Sequence, residues 1–328
     1  MKCTNKKWLS VIVLLCCTVL LCGCGSKVSL SNAYTVYATS ASYGLGTDNT
    51  TSLLKSFTDH LAVIDGDTIE NDAVDASLSE ASLIVNLDTN EVASAKNIYE
   101  QLYPASTTKI LTAYLVLENC DNLDDTLTVS ENALNLESGS SVCGFQVGDV
   151  VTVRDALYGM MLCSGNEAAV ALAEYISGDV DSFATLMNET ATKLGATNSH
   201  FVNPNGLTDE DHYTTVYDLY IIFQAALENS NFYDIVTATS YTANYTDASG
   251  EAVTKEWTST NRYIAGTETA PDGVTVLGGK TGTTTAAGSC LVLLSENSSG
   301  TPFISVVLAA ETRDNLYVLM NELLATEE

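Results

Sequence analysis

Basic side chains are scarce in this chain of 328 residues, which has 13 Lys and Arg against 41 Asp and Glu and a formal net charge of −28 at pH 7. Such an excess of negative charge repels nucleic acid and anionic membrane surfaces. We therefore expect no nucleic-acid partner, and we attribute the acidity to solubility outside the cell. With 46% hydrophobic and 16% charged residues, the chain is globular and long enough for one large domain or two smaller ones.

Metal-ligand spacings are also missing. The nine cysteines form no Cys-x-x-Cys pair and no Cys/His cluster, so we expect neither a metal nor another cofactor. Beyond residue 24 only four cysteines remain, and the sequence leaves open whether they form disulfides or serve as small buried apolar residues. They are Cys120, Cys143, Cys163 and Cys290.

No apolar run is long enough to span a membrane. The run from Trp8 to Leu21 is shorter than the roughly 20 residues that a spanning helix needs, and three lysines precede it, which indicates a secretory signal over residues 1–23. The run ends in Leu21-Cys22-Gly23-Cys24, which resembles the lipobox of bacterial lipoproteins. That resemblance implies export, cleavage before Cys24 and a lipid on Cys24 that holds the protein at the outer face of the membrane. Because Cys22 stands where Ala or Ser is more usual, cleavage by an ordinary signal peptidase is the alternative.

Residues 24–79 are rich in Ser, Thr, Asp, Asn and Gly, which predicts a flexible tether with some local structure around residues 50–65. A domain over residues 80–328 follows. Its first part, residues 81–92, has the pattern of a β-hairpin, and residues 110–118 have that of a buried helix. Four more helices are predicted at 153–163, 167–177, 181–194 and 215–229, then strands at 273–283, 289–295 and 303–310 and a closing helix at about 314–326. We therefore predict an α/β (α+β) fold, in which one antiparallel sheet from both ends of the domain is flanked by helices and a helical subdomain lies in the middle.

Three short motifs carry the chemistry. In Ser106-Thr107-Thr108-Lys109 the spacing of three places an amine beside a hydroxyl, and a neutral lysine could take the serine proton. This pattern alone is common, and an ordinary helix N-terminus explains it equally well. Two further motifs accompany it: Ser164-Gly165-Asn166, in a break between two helices, and Lys280-Thr281-Gly282, on a strand. All three motifs together have a low chance of arising by coincidence.

The order and separation of these motifs resemble those of penicillin-binding proteins and serine β-lactamases. Within that superfamily the chain is most similar to the low-molecular-mass D-alanyl-D-alanine carboxypeptidases, from about residue 81 to 324. Further matching segments include residues 200–207, His212-Tyr213, Asp218-Leu219 and Thr260-Asn261. The resemblance implies the β-lactamase/transpeptidase-like fold, peptidoglycan stem peptides as substrates and β-lactam antibiotics as inhibitors. Many members carry a second, β-rich domain and a C-terminal amphipathic anchor, and we expect neither here because the chain stops at Glu328, just after the predicted closing helix.

The resemblance also implies roles for individual residues. Ser106 is the expected nucleophile, Lys109 its base and Ser164 a proton relay to the departing D-alanine. Asn166, Lys280, Thr281 and Thr283 are the expected substrate-binding residues, with the backbone N–H groups of Ser106 and Thr283 as the oxyanion hole. Arg313 either helps to bind the substrate carboxylate or is an ordinary surface residue. Glu167 is expected to be a favourable charge at a helix N-terminus.

Three alternatives stay open. Class A β-lactamases use a glutamate on a loop after the middle motif, and residues 203–207, Asn-Pro-Asn-Gly-Leu, lack it, so β-lactamase activity ranks second. An endopeptidase would use the same acyl-enzyme chemistry. An inactive homologue that binds peptidoglycan or β-lactams would not need both lysines and the nucleophile. Because no Gly-x-Ser-x-Gly elbow occurs, His200 and His212 are expected to brace loops instead of acting as bases.

Overall fold

The structure is a computed structural model that describes residues 61–327. These residues form seven α-helices and nine β-strands, numbered here in chain order. The helices are α1 (Lys109–Asn119), α2 (Val153–Leu162), α3 (Asn166–Ser177), α4 (Val180–Leu194), α5 (Val216–Leu227), α6 (Ser230–Thr237) and α7 (Arg313–Leu324). The strands are β1 (Ser79–Asn86), β2 (Val92–Lys96), β3 (Thr126–Thr128), β4 (Val150–Thr152), β5 (Ser240–Thr246), β6 (Ala252–Thr258), β7 (Val274–Thr284), β8 (Gly288–Asn297) and β9 (Pro302–Ala310).

A five-stranded antiparallel sheet joins the two ends of the described chain in the order β2-β1-β9-β8-β7. The predicted sheet from both ends of the domain is thereby confirmed. Side chains of β8 alternate between its two faces, as the strand period of two requires. Leu291 and Leu293 belong to the cluster packed with α7, whereas Val292 and Leu294 belong to the larger core that contains α1 and α5. Because helices cover both faces, the central strands are apolar along most of their length.

Helix α1 is the buried helix predicted at residues 110–118, and it begins one residue earlier, at Lys109. The predicted helices α2 to α5 are also present, with ends within two residues of those expected. Their ends have clear local causes. Thr152 forms a capping box with Asp155 at the start of α2, and Gly178 ends α3 in the left-handed conformation that suits glycine. No helix among residues 61–327 is long and apolar enough to cross a membrane.

A helical subdomain was predicted in the middle of the chain. The structure contains those helices and, in addition, a second antiparallel sheet in the order β3-β4-β5-β6. The hairpin of β5 and β6 and the short helix α6 escaped prediction. Most side chains of the hairpin face solvent, and its buried positions are few, chiefly Ala243, Tyr245 and Trp257. Strands with so little apolar content carry a weak sequence signal.

The sequence predicted a flexible tether up to residue 79. For residues 61–79 the structure contradicts that prediction. Ala62 is fully buried, its N–H donates to the hydroxyl of Tyr220 (3.1 Å), and its carbonyl accepts from the hydroxyl of Tyr217 (2.7 Å) on α5. Ile69 pairs with Ala95 of β2. These residues are therefore part of the domain. Residues 24–60 of the expected tether, the signal and Cys24 lie outside the described residues.

Candidate active site

Ser106 lies in a tight 3-10 turn, Ala105–Thr108, that leads directly into α1. The residue before it, Ala105, has a φ of 49°, a left-handed conformation that is unfavourable for alanine. The hydroxyl groups of Thr107 and Thr108 donate to the carbonyls of Pro104 (2.7 Å) and Ala105 (2.9 Å). The sequence predicted the helix itself but not this turn, and the structure places Ser106 on the strained turn just before the helix.

Lys109 is fully buried, and its Nζ has three oxygen neighbours. It lies 2.7 Å from Oδ1 of Asn166, 2.6 Å from the carbonyl oxygen of Asn205 and 3.0 Å from Oγ of Ser106. A neutral amine has two hydrogens and one lone pair, and the two carbonyl oxygens can only accept. Both hydrogens therefore go to Asn166 and Asn205, and the lone pair is left facing the Ser106 hydroxyl.

The electrostatic surroundings favour that neutral form. Burial, and then the positive charge of Lys280, lower the pKa of Lys109 well below its ordinary value, while the carboxylate of Glu167 opposes the shift. The side chain thus lies where a base for Ser106 is needed, and its role as that base stays a prediction.

Ser164 and Asn166 lie in the break between α2 and α3, where the middle motif was expected. Ser164 has a φ of 60°, and its Oγ accepts a hydrogen bond from Nζ of Lys280 (3.1 Å). Asn166 is the first residue of α3, and its N–H donates to the carbonyl of Ser141 (2.9 Å). This strained loop thereby directs Ser164 toward Lys280 and Asn166 toward Lys109.

Strand β7 carries Lys280, Thr281 and Thr283 along one side of the site, and it is the edge strand of the five-stranded sheet. Lys280 is buried, and its Nζ donates to Ser164 and to the carbonyl of Thr281 (2.8 Å). Burial lowers the pKa of Lys280 to about 7. The hydroxyl of Thr281 lies 2.8 Å from that of Thr260.

A cavity of about 130 Å³ opens between these elements. Its lining includes Ser106, Ser141, Ser164, Thr281, Thr283 and Arg313. Lys109 is hydrogen bonded to Ser106, Lys280 to Ser164, and Asn166 to Lys109 and Ser141. The structure therefore brings together every site residue predicted in the three motifs and adds Arg313, whose position the sequence left open. Cys24 lies outside the described residues.

Two contributions to the site escaped sequence reasoning. The carbonyl of Asn205 is one of the acceptors for Lys109, and a backbone group has no sequence signature beyond the Asn-Pro-Asn-Gly turn that presents it. Glu167 was expected to act as a charge at a helix end. It does lie in the first turn of α3, but it is also fully buried, and its Oε1 accepts from the N–H groups of Gly144 (2.7 Å) and Phe145 (3.3 Å), so it holds the loop beside the site as well.

The four cysteines that the structure describes are free thiols. Cys143 and Cys290 are buried, and Cys120 and Cys163 are partly exposed. Burial raises the pKa of Cys163, next to Ser164, to about 11, so its thiol stays protonated at neutral pH. Among residues 61–327 there is also no group of three or more His, Cys, Asp or Glu side chains arranged to hold a metal ion.

A serine on a strained turn, a buried lysine with its lone pair toward that serine, and a Ser-x-Asn loop opposite a Lys-Thr-Gly edge strand define the class of the penicillin-binding proteins and serine β-lactamases. A family model described as D-alanyl-D-alanine carboxypeptidase, peptidase family S11, matches residues 68–312. The chain belongs to that family, and the resemblance seen in its motifs is confirmed.

Individual relatives agree with this assignment. The D-alanyl-D-alanine carboxypeptidase DacF of Bacillus subtilis is 36% identical over 240 residues, which are 71% of this chain and 58% of DacF. DacC of Escherichia coli is 34% identical over 254 residues, 75% of this chain and 59% of DacC. The match thus spans less than three fifths of either relative. The crystal structure of the Streptomyces K15 DD-transpeptidase superposes with a TM-score of 0.70 at 31% identity, covering 76% of this chain and 97% of that protein, which confirms the predicted fold.

Proposed function

We propose that this chain is a serine-type D-Ala-D-Ala carboxypeptidase, which removes the terminal D-alanine from peptidoglycan stem pentapeptides through an acyl-enzyme on Ser106. One observation carries the proposal above all others. The Nζ of Lys109 lies within hydrogen-bond distance of two carbonyl oxygens and 3.0 Å from the Ser106 hydroxyl, so that in its neutral form it presents a lone pair to that hydroxyl. A positioned base of this kind is what a serine needs to become a nucleophile.

In the acylation step, Oγ of Ser106 attacks the carbonyl carbon of the penultimate D-alanine and its proton passes to Lys109. The C–N bond to the terminal D-alanine then breaks, and the departing nitrogen needs a proton. Ser164, which is hydrogen bonded to Lys280, is in place to relay it. Asn166 holds an amide of the substrate. Water then releases the shortened stem peptide from Ser106.

The backbone N–H groups of Ser106 and Thr283 are the proposed oxyanion hole, because both residues line the same cavity. The carboxylate of the terminal D-alanine would lie at the other end of the cavity. Thr281 and Arg313 line the cavity and Lys280 lies next to Thr281, which would supply a hydroxyl donor and basic groups to a substrate that ends in a negative charge. Arg313 is exposed, so its charge remains available to a ligand.

Release of D-alanine from a synthetic pentapeptide ending in D-Ala-D-Ala tests this activity directly, with Ser106→Ala as the matched inactive variant. Wild-type release that Ser106→Ala abolishes, with the fold kept by circular dichroism, is the expected result. Activity that survives this change would refute the nucleophile. A folded wild-type chain that releases no D-alanine and forms no covalent adduct with a β-lactam would favour the inactive binding homologue.

β-Lactams should acylate the same serine. Residues 203–207 offer no glutamate to activate a hydrolytic water, so we propose a long-lived penicillin adduct on Ser106. Mass spectrometry after incubation with penicillin measures it. Rapid turnover without an adduct would favour a β-lactamase.

The same acyl-enzyme chemistry also supports transpeptidation and endopeptidase action. The solved relative of TM-score 0.70 is a protein described as a DD-transpeptidase. An acyl-enzyme that an amine attacks gives transpeptidation, and a crosslinked dimer used as substrate gives endopeptidase action. The pentapeptide assay should therefore include an amino-acid acceptor and, separately, a crosslinked dimer.

We also propose that residues 1–23 form a signal and that a lipid on Cys24 holds the catalytic domain at the outer face of the cell membrane. The support is the Leu21-Cys22-Gly23-Cys24 sequence after a short apolar run. Metabolic labelling with a fatty acid tests it, since Cys24→Ser should lose the label and leave the membrane fraction. Labelling that persists in Cys24→Ser would refute the attachment site.

A further inference from the structure

His212 lies outside the cavity, yet it is tied to the turn that carries the nucleophile. Its side chain is buried, and both ring nitrogens have partners. The N–H of Val202 donates to Nδ1 (3.2 Å), and Nε2 lies 2.9 Å from Oγ1 of Thr108. Since a backbone N–H can only donate, Nδ1 is the acceptor, and the neutral ring carries its hydrogen on Nε2. Nε2–H therefore donates to Thr108.

That hydrogen bond orients the Thr108 hydroxyl. The hydroxyl has a single hydrogen, and with His212 donating to its oxygen, this hydrogen is directed to the carbonyl of Ala105, 2.9 Å away. A continuous chain thus runs from the Val202 N–H through His212 and Thr108 to Ala105. Its last member is the residue with a φ of 49°.

The carbonyl of Ala105 and the N–H of Ser106 belong to one planar peptide unit. A bond that fixes the direction of the carbonyl also fixes that of the N–H on the opposite side of the unit. Gly206 packs tightly against the same carbonyl, since a Cβ added to Gly206 would lie 1.8 Å from the Ala105 oxygen. Held in this way, the strained conformation at Ala105 cannot relax by rotation of the peptide plane.

We propose that His212 is a positioning residue for catalysis, which acts through Thr108 to aim the Ser106 N–H into the oxyanion hole. The inference rests on the proposed function and goes beyond it, because it assigns a part of the reaction to a ring that touches neither the substrate nor the reacting atoms. Burial lowers the pKa of His212 to about 4, so the ring stays neutral at physiological pH and keeps one donor and one acceptor.

The test compares His212→Phe, which removes both nitrogens, with Thr108→Val, which replaces the hydroxyl by a methyl of similar size. Each should lower kcat by roughly 10- to 100-fold with little change in KM, since a displaced oxyanion donor acts on the transition state. The affinity for a peptide boronic acid, whose tetrahedral adduct occupies the oxyanion hole, should fall by a similar factor. The double variant should lose no more than the worse single variant, because both changes break the same chain.

Two further variants complete the design. His212→Gln keeps a side-chain donor and an acceptor and should recover part of kcat, and His200→Gln alters a partly exposed histidine of the same segment and should leave kcat unchanged. Values of kcat and boronate affinity within about twofold of wild type in folded Thr108→Val would overturn the proposal, even if His212→Phe does not fold. Fully multiplicative losses in the double variant would overturn it as well. A wild-type chain that forms no acyl-enzyme would overturn the proposed function instead.

Discussion

Gly282 of β7 lies so close to the backbone of Ser106 that no side chain fits between them. A Cβ on Gly282 would lie 2.8 Å from the nitrogen of Ser106 and 3.0 Å from the carbonyl oxygen of Pro104. Real Cβ atoms do not approach backbone that closely, so any larger residue must move the strand or the serine turn. The distance between the backbone N–H groups proposed as the oxyanion hole therefore depends on this glycine.

Gly282→Ala should lower the rate of acylation by penicillin by about 100-fold, because it displaces the donors of Ser106 and Thr283 relative to each other. Stopped-flow or mass-spectrometric kinetics measure the rate. Gly178→Ala is the matched control. A Cβ at Gly178 meets nothing within 4 Å, so the strain at its φ of 86° should cost stability without slowing acylation. Equal acylation rates in both variants would contradict the assigned role of Gly282.

Lys109→Met and Lys109→Arg should both lose acylation, by about 10²- to 10⁴-fold, because neither side chain offers a basic lone pair to Ser106 at neutral pH. Methionine tests the loss of the amine, and arginine tests whether a positive charge alone suffices. Lys193→Met, on an exposed position of α4, should change nothing. Acylation by Lys109→Arg at near wild-type rate would show that this residue serves as a charge and not as a base.

Asn166→Asp should shift the acid limb of the acylation profile to higher pH. A carboxylate 2.7 Å from Nζ of Lys109 stabilises the ammonium and raises its pKa, so more alkaline solution is needed to free the lone pair. Asn166→Ala removes the contact without adding a charge and should show no such shift. The measurement is the rate of penicillin acylation between about pH 5 and 10, and an unchanged limb in Asn166→Asp would exclude Lys109 as the titrating base.

His212 should make the fold less stable in acid. Its pKa is about 4 when folded against 6.5 when unfolded, so the unfolded chain binds the additional proton. The contribution is present above pH 6.5 and is lost as pH falls toward 4, with on the order of 2 to 3 kcal/mol gone at pH 4.5. Nearby Asp209 opposes this loss, while His200 and Lys109 add to it. Urea unfolding at pH 7 and 4.5 should show a smaller acid loss in His212→Gln than in wild type, and equal losses would contradict the prediction.

Much of the site was predictable because its chemistry lies in side chains at short, fixed spacings. Ser106 and Lys109 share one turn, and the Lys280-Thr281-Gly282 segment lies on a strand whose apolar pattern is clear. The convergence of the motifs followed from their resemblance to a family, since spacing alone does not fix contacts between elements that are far apart in sequence.

The features of the fold and the site that the sequence did not predict depend on backbone groups and on tertiary packing. The carbonyl of Asn205 and the left-handed φ of Ala105 decide how Lys109 and Ser106 are held, and neither is visible in residue types. The hairpin of β5 and β6 exposes most of its side chains, so its pattern resembled that of a loop. Ala62 lies in the part of the expected tether where some local structure was predicted, but only its contacts with α5 show that it joins the domain.

Lys109 and Lys280 are both buried completely or nearly so, and Lys109 directly follows the strained turn that begins at Ala105. Buried amines and strained backbone each oppose folding, and the surrounding apolar core must offset them. The catalytic cleft is therefore the part of the molecule where thermal stability and chemical competence conflict most. A library of this chain selected only for resistance to heat should accumulate apolar replacements at these two lysines, and the most heat-resistant survivors should be inert toward penicillin.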